Sequence, residues 1–195
     1  MDMPQREESE AMIEDLSEHA AATTTEAAIA PPAEDAPAAA GDENTPVTVG
    51  RNGFRFSRKI VALSAPNSIQ AESFGSLQTH LKAKHIGDGR RSLAICAATP
   101  GVGTSYVAVN LAMSFAMAGL NTMLIDANMR SPSLEDYIAP DKAPLGLRQC
   151  LGDNEVEFGD VILDDVFPNL SLIYSGGSAP NPQELLASKA MNALL

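Results

Sequence analysis

The sequence has few cysteines and histidines and no long apolar run, and each shortage excludes a class of protein. Its two cysteines, Cys96 and Cys150, form neither a disulfide framework nor a zinc motif. Cys96 lies inside an apolar run, where a small buried thiol is expected. His80 and His85 have no cysteine or acidic cluster beside them, so we interpret them as surface or packing residues. No run reaches the roughly 20 apolar residues that cross a bilayer, and the acidic start is not a signal peptide. We therefore expect a cytoplasmic protein.

Basic residues are also scarce, and their distribution matters. The chain has 13 lysines and arginines against 25 acids, a net charge of −12. Residues 1–50 contain 12 of the acids and a single base, Arg6, whereas residues 51–195 are almost balanced, with 13 acids and 12 bases. The acidity thus belongs to the first 50 residues. A nucleic-acid binder normally has a basic face, so we expect no nucleic-acid partner.

Composition divides the chain into three parts. Residues 1–50 are rich in Ala, Pro, Glu and Thr, and we predict a disordered acidic tail with at most a solvated helix around Ser9–His19. Residues 51–66 are predicted to be a linker or edge strand. The four bases and two phenylalanines of residues 51–59 leave contact with anionic lipid or with an acidic partner as the alternative. Residues 67–195 are predicted to form the folded domain.

The order of elements from Ser92 to Asp126 is typical of a nucleotide-binding unit. Ser92–Ala98 is predicted to be a strand buried on both faces of a parallel sheet. A helix is predicted after it, ending at Gly119, and Thr122–Ile125 is predicted to be a second strand that leads into Asp126. The helix positions expected to face the core share helical spacing: Val107, Leu111, Phe115 and Ala118.

The flanking regions predict further helices and one strand. Pro66–Ile86 is predicted to be helical, with an inner face made of Phe74, Leu77, Leu81 and His85. Ser131 is a candidate N-cap for a short helix over Pro132–Ile138, and Leu145–Leu151 is predicted to be a helix ended by Gly152. The remaining predictions, in chain order, are a solvated acidic connection over Asp153–Asp165, a strand over Leu170–Tyr174, and one helix that begins at Asn181-Pro182 and carries Leu185, Leu186, Met191 and Leu194.

The turn from Pro100 to Ser105 is nearly a phosphate-binding P-loop. In that pattern the glycines let backbone N–H groups cradle phosphates at a helix N-terminus, and the motif ends in Gly-Lys-Ser/Thr. Gly101, Gly103 and Ser105 stand at the expected positions, but Thr104 occupies the position of the lysine. The cradle and the magnesium-binding hydroxyl are present, and the cation that reaches the β and γ phosphates is not.

Two motifs together resemble the bacterial tyrosine kinases of capsule and exopolysaccharide biosynthesis, relatives of the MinD/ParA ATPases. The family loop S-A-T-P-G-E-G-K-S-T is similar to Ala97–Tyr106, and the family motif D-x-D-x-R-x-P-S-L is similar to Asp126–Leu134. The resemblance covers residues 60–195 and continues through Gly146-Leu147, Leu151-Gly152, Gly177 and Asn181–Leu186.

The resemblance implies a P-loop NTPase-like fold, a three-layer α/β/α sandwich with a mostly parallel sheet. Because the family's Walker B strand and tyrosine-rich tail would follow residue 195, we expect the C-terminal strands to be missing. Ser105 and Asp126 are the expected Mg²⁺ ligands, and Asp126 is the residual catalytic residue. The residues expected to bind ATP or ADP are Pro100, Gly101, Val102, Gly103, Thr104, Ser105 and Tyr106. Since Thr104 and Asn128 replace a lysine and an aspartate, we expect weak nucleotide binding and impaired kinase activity.

The resemblance also implies partners. The family assembles into rings through an E-x-x-R-x-x-R pattern, of which this chain keeps Glu72 but has Gly75 and Gln78 at the arginine positions, so homo-oligomerisation is left open. The implied partner is the cytoplasmic segment of an inner-membrane polysaccharide co-polymerase. An active kinase and a MinD/ParA-like ATPase are the alternatives. A dinucleotide site is disfavoured because Tyr106 stands where its third glycine should be.

Overall fold

The computed structural model describes residues 48–49, 53–152 and 156–194. The chain divides into two units, residues 1–39 and 40–195, and every described residue belongs to the second. Residues 1–47 and residue 50 of the predicted acidic tail, including the helix around Ser9–His19, lie outside the described residues, and the two described tail residues, Thr48–Val49, form a short strand.

The described strands form two small sheets. One is antiparallel, in the order β1 (Thr48–Val49), β2 (Arg55–Phe56) and β4 (Ile138–Ala139). The other is mixed, in the order β3 (Thr122–Ile125), β6 (Leu170–Ile173) and β5 (Leu163–Phe167), with β3 parallel and β5 antiparallel to β6. The α-helices among the described residues are α1 (Val61–Ser64), α2 (Ile69–Leu81), α3 (Thr104–Met117), α4 (Leu147–Gly152), α5 (Phe158–Val161), α6 (Pro182–Leu186) and α7 (Lys189–Leu194).

Apolar residues lie on both faces of the mixed sheet. Leu124 pairs with Leu172, and both belong to the core cluster that contains the buried residues of α3. Their neighbours Ile125 and Ile173, which point to the other face by strand alternation, belong to the cluster that contains residues of α4 to α7. Helices thus cover the sheet on two sides, and the predicted α/β/α fold class is confirmed, with one parallel and one antiparallel pair in the described sheet.

Helix α2 confirms most of the helix predicted over residues 66–86. Its N-cap Ser68 accepts a hydrogen bond from Ala71 N at 3.2 Å, and the chain continues beyond Leu81 as one π-helical turn, Lys82–Ile86. The predicted inner face was partly wrong. Phe74 and Gln78 are the buried residues, whereas Leu77 is 39% exposed, because α2 packs on α3 with a narrower face than the apolar spacing indicates.

Helix α3 begins at Thr104 and ends at Met117, and Gly119 closes it with φ of +78°. Leu120 N donates to Phe115 O and Gly119 N to Ala116 O, the two hydrogen bonds of a Schellman motif. The predicted inner face was right at one of four positions, partly right at two and wrong at one. Leu111 is buried, but Val107 and Phe115 are half-buried and Ala118 is exposed. The helix is apolar on most sides, so its packing against the sheet, rather than its periodicity, decides which residues are covered: Val109, Ala112, Met113 and Ala116.

The strand predicted over Ser92–Ala98 is absent. These residues adopt no regular structure, and all except the half-buried Ile95 are exposed, including Cys96. No described strand pairs with this run, since β3 pairs with β6 alone among the described residues. A single extended segment without hydrogen-bonded neighbours is not stable as a strand, and its backbone groups are left to water.

Residues 53–64 pack against α3. Phe54 and Phe56 are buried in the core, so these two rings are not exposed to contact lipid. The strand predicted here is not an edge of the described sheet, because β2 lies between β1 and β4. Asn110 fixes the segment: its Oδ1 accepts from Val61 N at 2.8 Å, and its Nδ2 donates to Lys59 O at 3.0 Å. Asn110 is fully buried, and both ends of its amide are satisfied.

The C-terminal third departs from prediction in three places. The predicted acidic connection contains α5 and the first residues of β5, because Glu157 and Asp160 form a capping box and Val161 is buried. Helix α4 begins two residues later than predicted, and the single predicted last helix is broken between α6 and α7. The strand β6 is confirmed. Before it, Asn169 turns the chain with φ of +65°, accepts from Thr122 N through its carbonyl and donates from Nδ2 to Ala116 O.

Candidate functional site

The phosphate loop has the backbone of an anion cradle. Gly101 and Gly103 adopt φ of +79° and +87°, a region that residues with a Cβ rarely enter. A Cβ added at either position would meet no atom within 4 Å, so the backbone angle, not space, requires glycine there. Val107 N donates to Gly103 O, the first hydrogen bond of α3, which leaves the N–H groups of residues 104–106 outside the helical ladder and able to face an anion.

The Asp126 carboxylate lies at the end of β3 and organises the turn that follows. Its Oδ1 accepts from Asn128 N at 3.0 Å, and its Oδ2 accepts from Ser133 N and Leu134 N, both at 3.2 Å. The short helix predicted over Pro132–Ile138 is a 3₁₀ turn at Leu134–Asp136. Its N-terminus is capped by Asp126 and not by the predicted Ser131, because the carboxylate reaches its first free N–H groups from the neighbouring strand.

Ser133 joins this turn to the phosphate loop. Its hydroxyl donates to the hydroxyl of Ser105 at 2.7 Å, while its N–H donates to Asp126 Oδ2. All three residues are partly buried. The two side chains predicted to bind Mg²⁺, Ser105 and Asp126, therefore come together through one intervening residue. The sequence reasoning missed Ser133, although its place in the P-S-L end of the second motif was the available signal.

The amide of Asn128 closes the loop after Asp126. Its Nδ2 donates to Ser131 O at 2.8 Å, and its Oδ1 accepts from Ser131 N at 3.2 Å. A carboxylate at this position could accept from Ser131 N but could not donate to Ser131 O. The family aspartate is thus replaced by a residue whose donor is used within the loop.

The remaining residues of the loop differ in exposure. Pro100 is exposed, Val102 is 60% exposed, and Thr104 is half-buried. Tyr106 packs edge-on against Phe74 of α2, with ring centroids 5.6 Å apart. The ring of Tyr106 therefore ties the start of α3 to α2, a structural role that explains a bulky side chain so close to the loop.

A second tyrosine lies at the end of the turn after Asp126. Lys59 Nζ stands 5.8 Å from the ring centroid of Tyr137, within the range of a cation–π contact. Burial raises the pKa of Tyr137 above its ordinary value near 10, and the charge of Asp136 and the neighbouring Tyr106 raise it further. The phenol is neutral at physiological pH.

The described residues hold no cluster of three or more histidine, cysteine, aspartate or glutamate side chains placed to bind a metal ion. Mg²⁺ commonly uses one or two protein oxygens together with substrate phosphates, so Ser105 and Asp126 fit a nucleotide-dependent Mg²⁺ site better than an all-protein one. At the predicted ring contact, Glu72 is exposed, Gly75 has open space beside it and Gln78 is buried. None of the described helices has the length and apolarity of a membrane span.

Comparison with known proteins identifies relatives of this chain. No family model matches the chain. The EpsB protein of Ralstonia nicotianae is 35% identical over 136 residues, which are 70% of this chain and 18% of EpsB. The tyrosine-protein kinase YwqD of Bacillus subtilis is 31% identical over 142 residues, covering 73% of this chain and 59% of YwqD. The chain thus spans less than two thirds of either relative.

Solved structures agree. The BceF tyrosine kinase domain superposes with a TM-score of 0.62 at 32% identity, covering 69% of this chain and 53% of that domain. With its phosphate loop, Asp126 turn and α/β/α layers, this chain belongs to the family of bacterial tyrosine kinases.

Proposed function

We propose that the chain is a catalytically impaired member of its family. In this proposal the chain acts in the cytoplasm, in capsule or exopolysaccharide biosynthesis, by binding a partner. The observation that carries this proposal is Thr104 at the lysine position of an otherwise well-formed cradle. Phosphoryl transfer requires charge neutralisation at the γ-phosphate. Losing one cationic contact to a developing charge costs a factor of about 10²–10⁵ in rate, by analogy with oxyanion donors and arginine fingers.

Asn128 supports the same conclusion independently. The family's second acid would bring a carboxylate close to the metal, whereas the Asn128 amide bonds both main-chain groups of Ser131. Both substitutions, at Thr104 and at Asn128, remove charge that the family uses on phosphate and Mg²⁺. Residual nucleotide binding depends on what remains: the N–H groups of the cradle, the Ser105 hydroxyl and the Asp126 carboxylate.

We infer from these remaining groups that Mg-ADP and Mg-ATP bind weakly. The loop glycines hold the backbone in the conformation of an anion site, and the dipole of the 14-residue α3 favours a negative charge at its start. When bound, the ion would be held by Ser105, Asp126 and phosphate oxygens, and it would neutralise phosphate charge. The predicted division into an acidic tail, a linker and a P-loop domain (residues 1–50, 51–66 and 67–195) is part of this proposal.

The partner we propose is the cytoplasmic segment of an inner-membrane polysaccharide co-polymerase, which would recruit this chain to the membrane face. This partner is inferred from the family resemblance. It is tested by capture of the purified full chain on that segment. A binding role is supported if the chain is retained on the segment without nucleotide, and if the Thr104→Lys variant is retained equally. The role is contradicted if the chain is not retained.

The impaired site is tested by calorimetric titration of the full chain with Mg-ATP and Mg-ADP, beside Thr104→Lys. A cationic hydrogen bond to phosphate contributes about 1.5–3 kcal/mol, so the variant should bind at least tenfold more tightly. Val102→Lys is the matched control, because it adds the same charge at an exposed loop position two residues away. Equal gains in both variants would indicate general charge attraction, not a restored P-loop.

Kinase activity is tested by phosphotyrosine detection on the purified chain with and without Mg-ATP. We expect no signal above that of an Asp126→Asn control. ATP-dependent phosphotyrosine on the native chain would overturn the proposed impairment and favour an active kinase.

A further inference from the structure

We propose that Ser133 is a positioning residue of the magnesium–nucleotide site, acting through Ser105 and Asp126. This inference rests on the proposed weak nucleotide binding and adds a residue to that site. Ser133 is the described residue that hydrogen-bonds both predicted Mg²⁺ ligands, one through its side chain and the other through its backbone.

The hydroxyl pair determines how Ser105 can present its oxygen. A serine hydroxyl has one proton and two lone pairs. A cation bound to Ser105 uses a lone pair of the hydroxyl oxygen, and the cation repels a hydroxyl proton that points toward it. Ser133 Oγ, 2.7 Å away, can then accept the Ser105 proton, because either hydroxyl of the pair can donate. Ser133 thus keeps the Ser105 proton away from the ion.

The backbone of Ser133 orients the second ligand. A carboxylate offers about four lone-pair sites, and three on Asp126 are used by N–H groups: one on Oδ1 and two on Oδ2. The remaining site lies on Oδ1. The geometry therefore assigns Oδ1 as the oxygen that meets the ion, and it leaves Oδ2 with a structural role in the turn that carries Ser133.

The pair also connects distant parts of the sequence. Ser105 is the second residue of α3, and Ser133 lies 28 residues later, before the 3₁₀ turn that leads into β4. A hydroxyl pair at this junction is held by two elements that are each fixed elsewhere, α3 by the core and the turn by Asp126. The distance between the two oxygens is consequently set by the fold and not by the ligand, which is the requirement for a positioning residue.

The test measures ADP affinity of the full chain in excess Mg²⁺ and again in EDTA, for Ser133→Ala and Ser133→Thr. Each variant is made in the native and in the Thr104→Lys background, so that ADP affinities can be compared even if the native chain binds ADP too weakly to measure. Ser131→Ala is the matched control, because the hydrogen bonds of Ser131 to Asn128 use only its main-chain atoms.

We expect Ser133→Ala to reduce the Mg²⁺ enhancement of ADP affinity about 3–10-fold, the effect of one neutral hydrogen bond. The affinity in EDTA, which depends on the backbone cradle, should stay within about twofold, since the cradle uses no atom of Ser133. Ser133→Thr should restore the enhancement, and Ser131→Ala should leave it unchanged. A merely structural role would lower both affinities together.

Four results would contradict the proposal. An unchanged Mg²⁺ enhancement in Ser133→Ala, or equal losses with Mg²⁺ and EDTA, would refute the positioning role alone and leave the proposed nucleotide binding intact. Absence of ADP binding in both backgrounds would refute both proposals. In the ligand-free chain, a double-mutant cycle of Ser105→Ala and Ser133→Ala in urea should show about 3–10-fold coupling in the unfolding constant, and additive effects would contradict the hydroxyl pair itself.

Discussion

Replacing Asn128 by aspartate puts back the acid that the family motif carries, and the structure predicts that this reversal destabilises the protein. The new carboxylate in Asn128→Asp would retain the acceptor for Ser131 N and lose the donor to Ser131 O. It would also stand two residues from Asp126, whose Oδ1 already accepts from the N–H of residue 128. The change therefore costs a hydrogen bond and adds like-charge repulsion.

The magnitude follows from the exposure of the loop. Asn128 is exposed, so the lost hydrogen bond contributes about 1 kcal/mol, and repulsion between solvated carboxylates adds a few tenths that salt would screen. We expect a loss of about 1–1.5 kcal/mol in the free energy of unfolding in EDTA at low salt. Mg²⁺ at millimolar concentration should recover part of it, because two carboxylates on one turn make a better hard-cation site than one.

Urea unfolding measured in EDTA and in MgCl₂ gives both quantities. Asn128→Ala is the control: it removes both side-chain bonds and should lose about 1–2 kcal/mol that Mg²⁺ does not recover. If Asn128→Asp were as stable as the native chain in EDTA, the amide would not be closing the loop. The structural explanation for the missing acid would then be wrong.

The other predictions concern packing and pH. Gly146→Ala should lower the free energy of unfolding by about 3 kcal/mol or more in urea titrations, because a Cβ there would collide with Gly176 N and Tyr174 O. Gly75→Ala should raise the same free energy by up to about 1 kcal/mol, because no atom lies within 4 Å of the added Cβ and alanine is the better helix former. Tyr174→Phe should cost about 1–2 kcal/mol because the phenol donates to Ile138 O at 2.6 Å in the core. Burial, with the charge of Glu135, raises the pKa of Tyr174. The stability that the neutral phenol contributes to the fold is therefore complete below the ordinary tyrosine pKa near 10 and is lost as the pH rises above it. Thermal unfolding from about pH 8 to 11, a range that spans the ordinary tyrosine pKa, should therefore show a shallower alkaline decline in Tyr174→Phe, and an identical decline would contradict this assignment.

Local signals were sufficient where a few neighbouring residues decide the backbone. Gly119 at the end of α3 and the apolar run of β6 depend on a few neighbours in sequence, and the structure agrees with the prediction at each. The fold class followed from the order of these elements together with the family resemblance.

The errors occur where a distant contact decides. Ser92–Ala98 has the composition of a buried strand, yet a strand exists only if another segment pairs with it. Helix α3 is apolar around most of its circumference, so its buried face is selected by the sheet. The Ser105–Ser133 pair joins residues far apart in sequence, and no periodicity could have indicated it. The sequence motifs thus indicated the loop and the carboxylate of the candidate site, whereas the contact between Ser105 and Ser133 became visible only in the structure.

The turn at Asn169 has a consequence for the order in which the chain folds. Strands β5 and β6 meet across a tight hairpin, while β3 must find β6 from a distant part of the sequence. Loop closure costs more entropy for the longer separation, so the hairpin should form first and offer β6 as a template for β3. Asn169 belongs to the early hairpin and yet bonds Thr122 and the end of α3. It is the point at which the local hairpin contacts β3 and α3, the elements next to Asp126 and the phosphate loop.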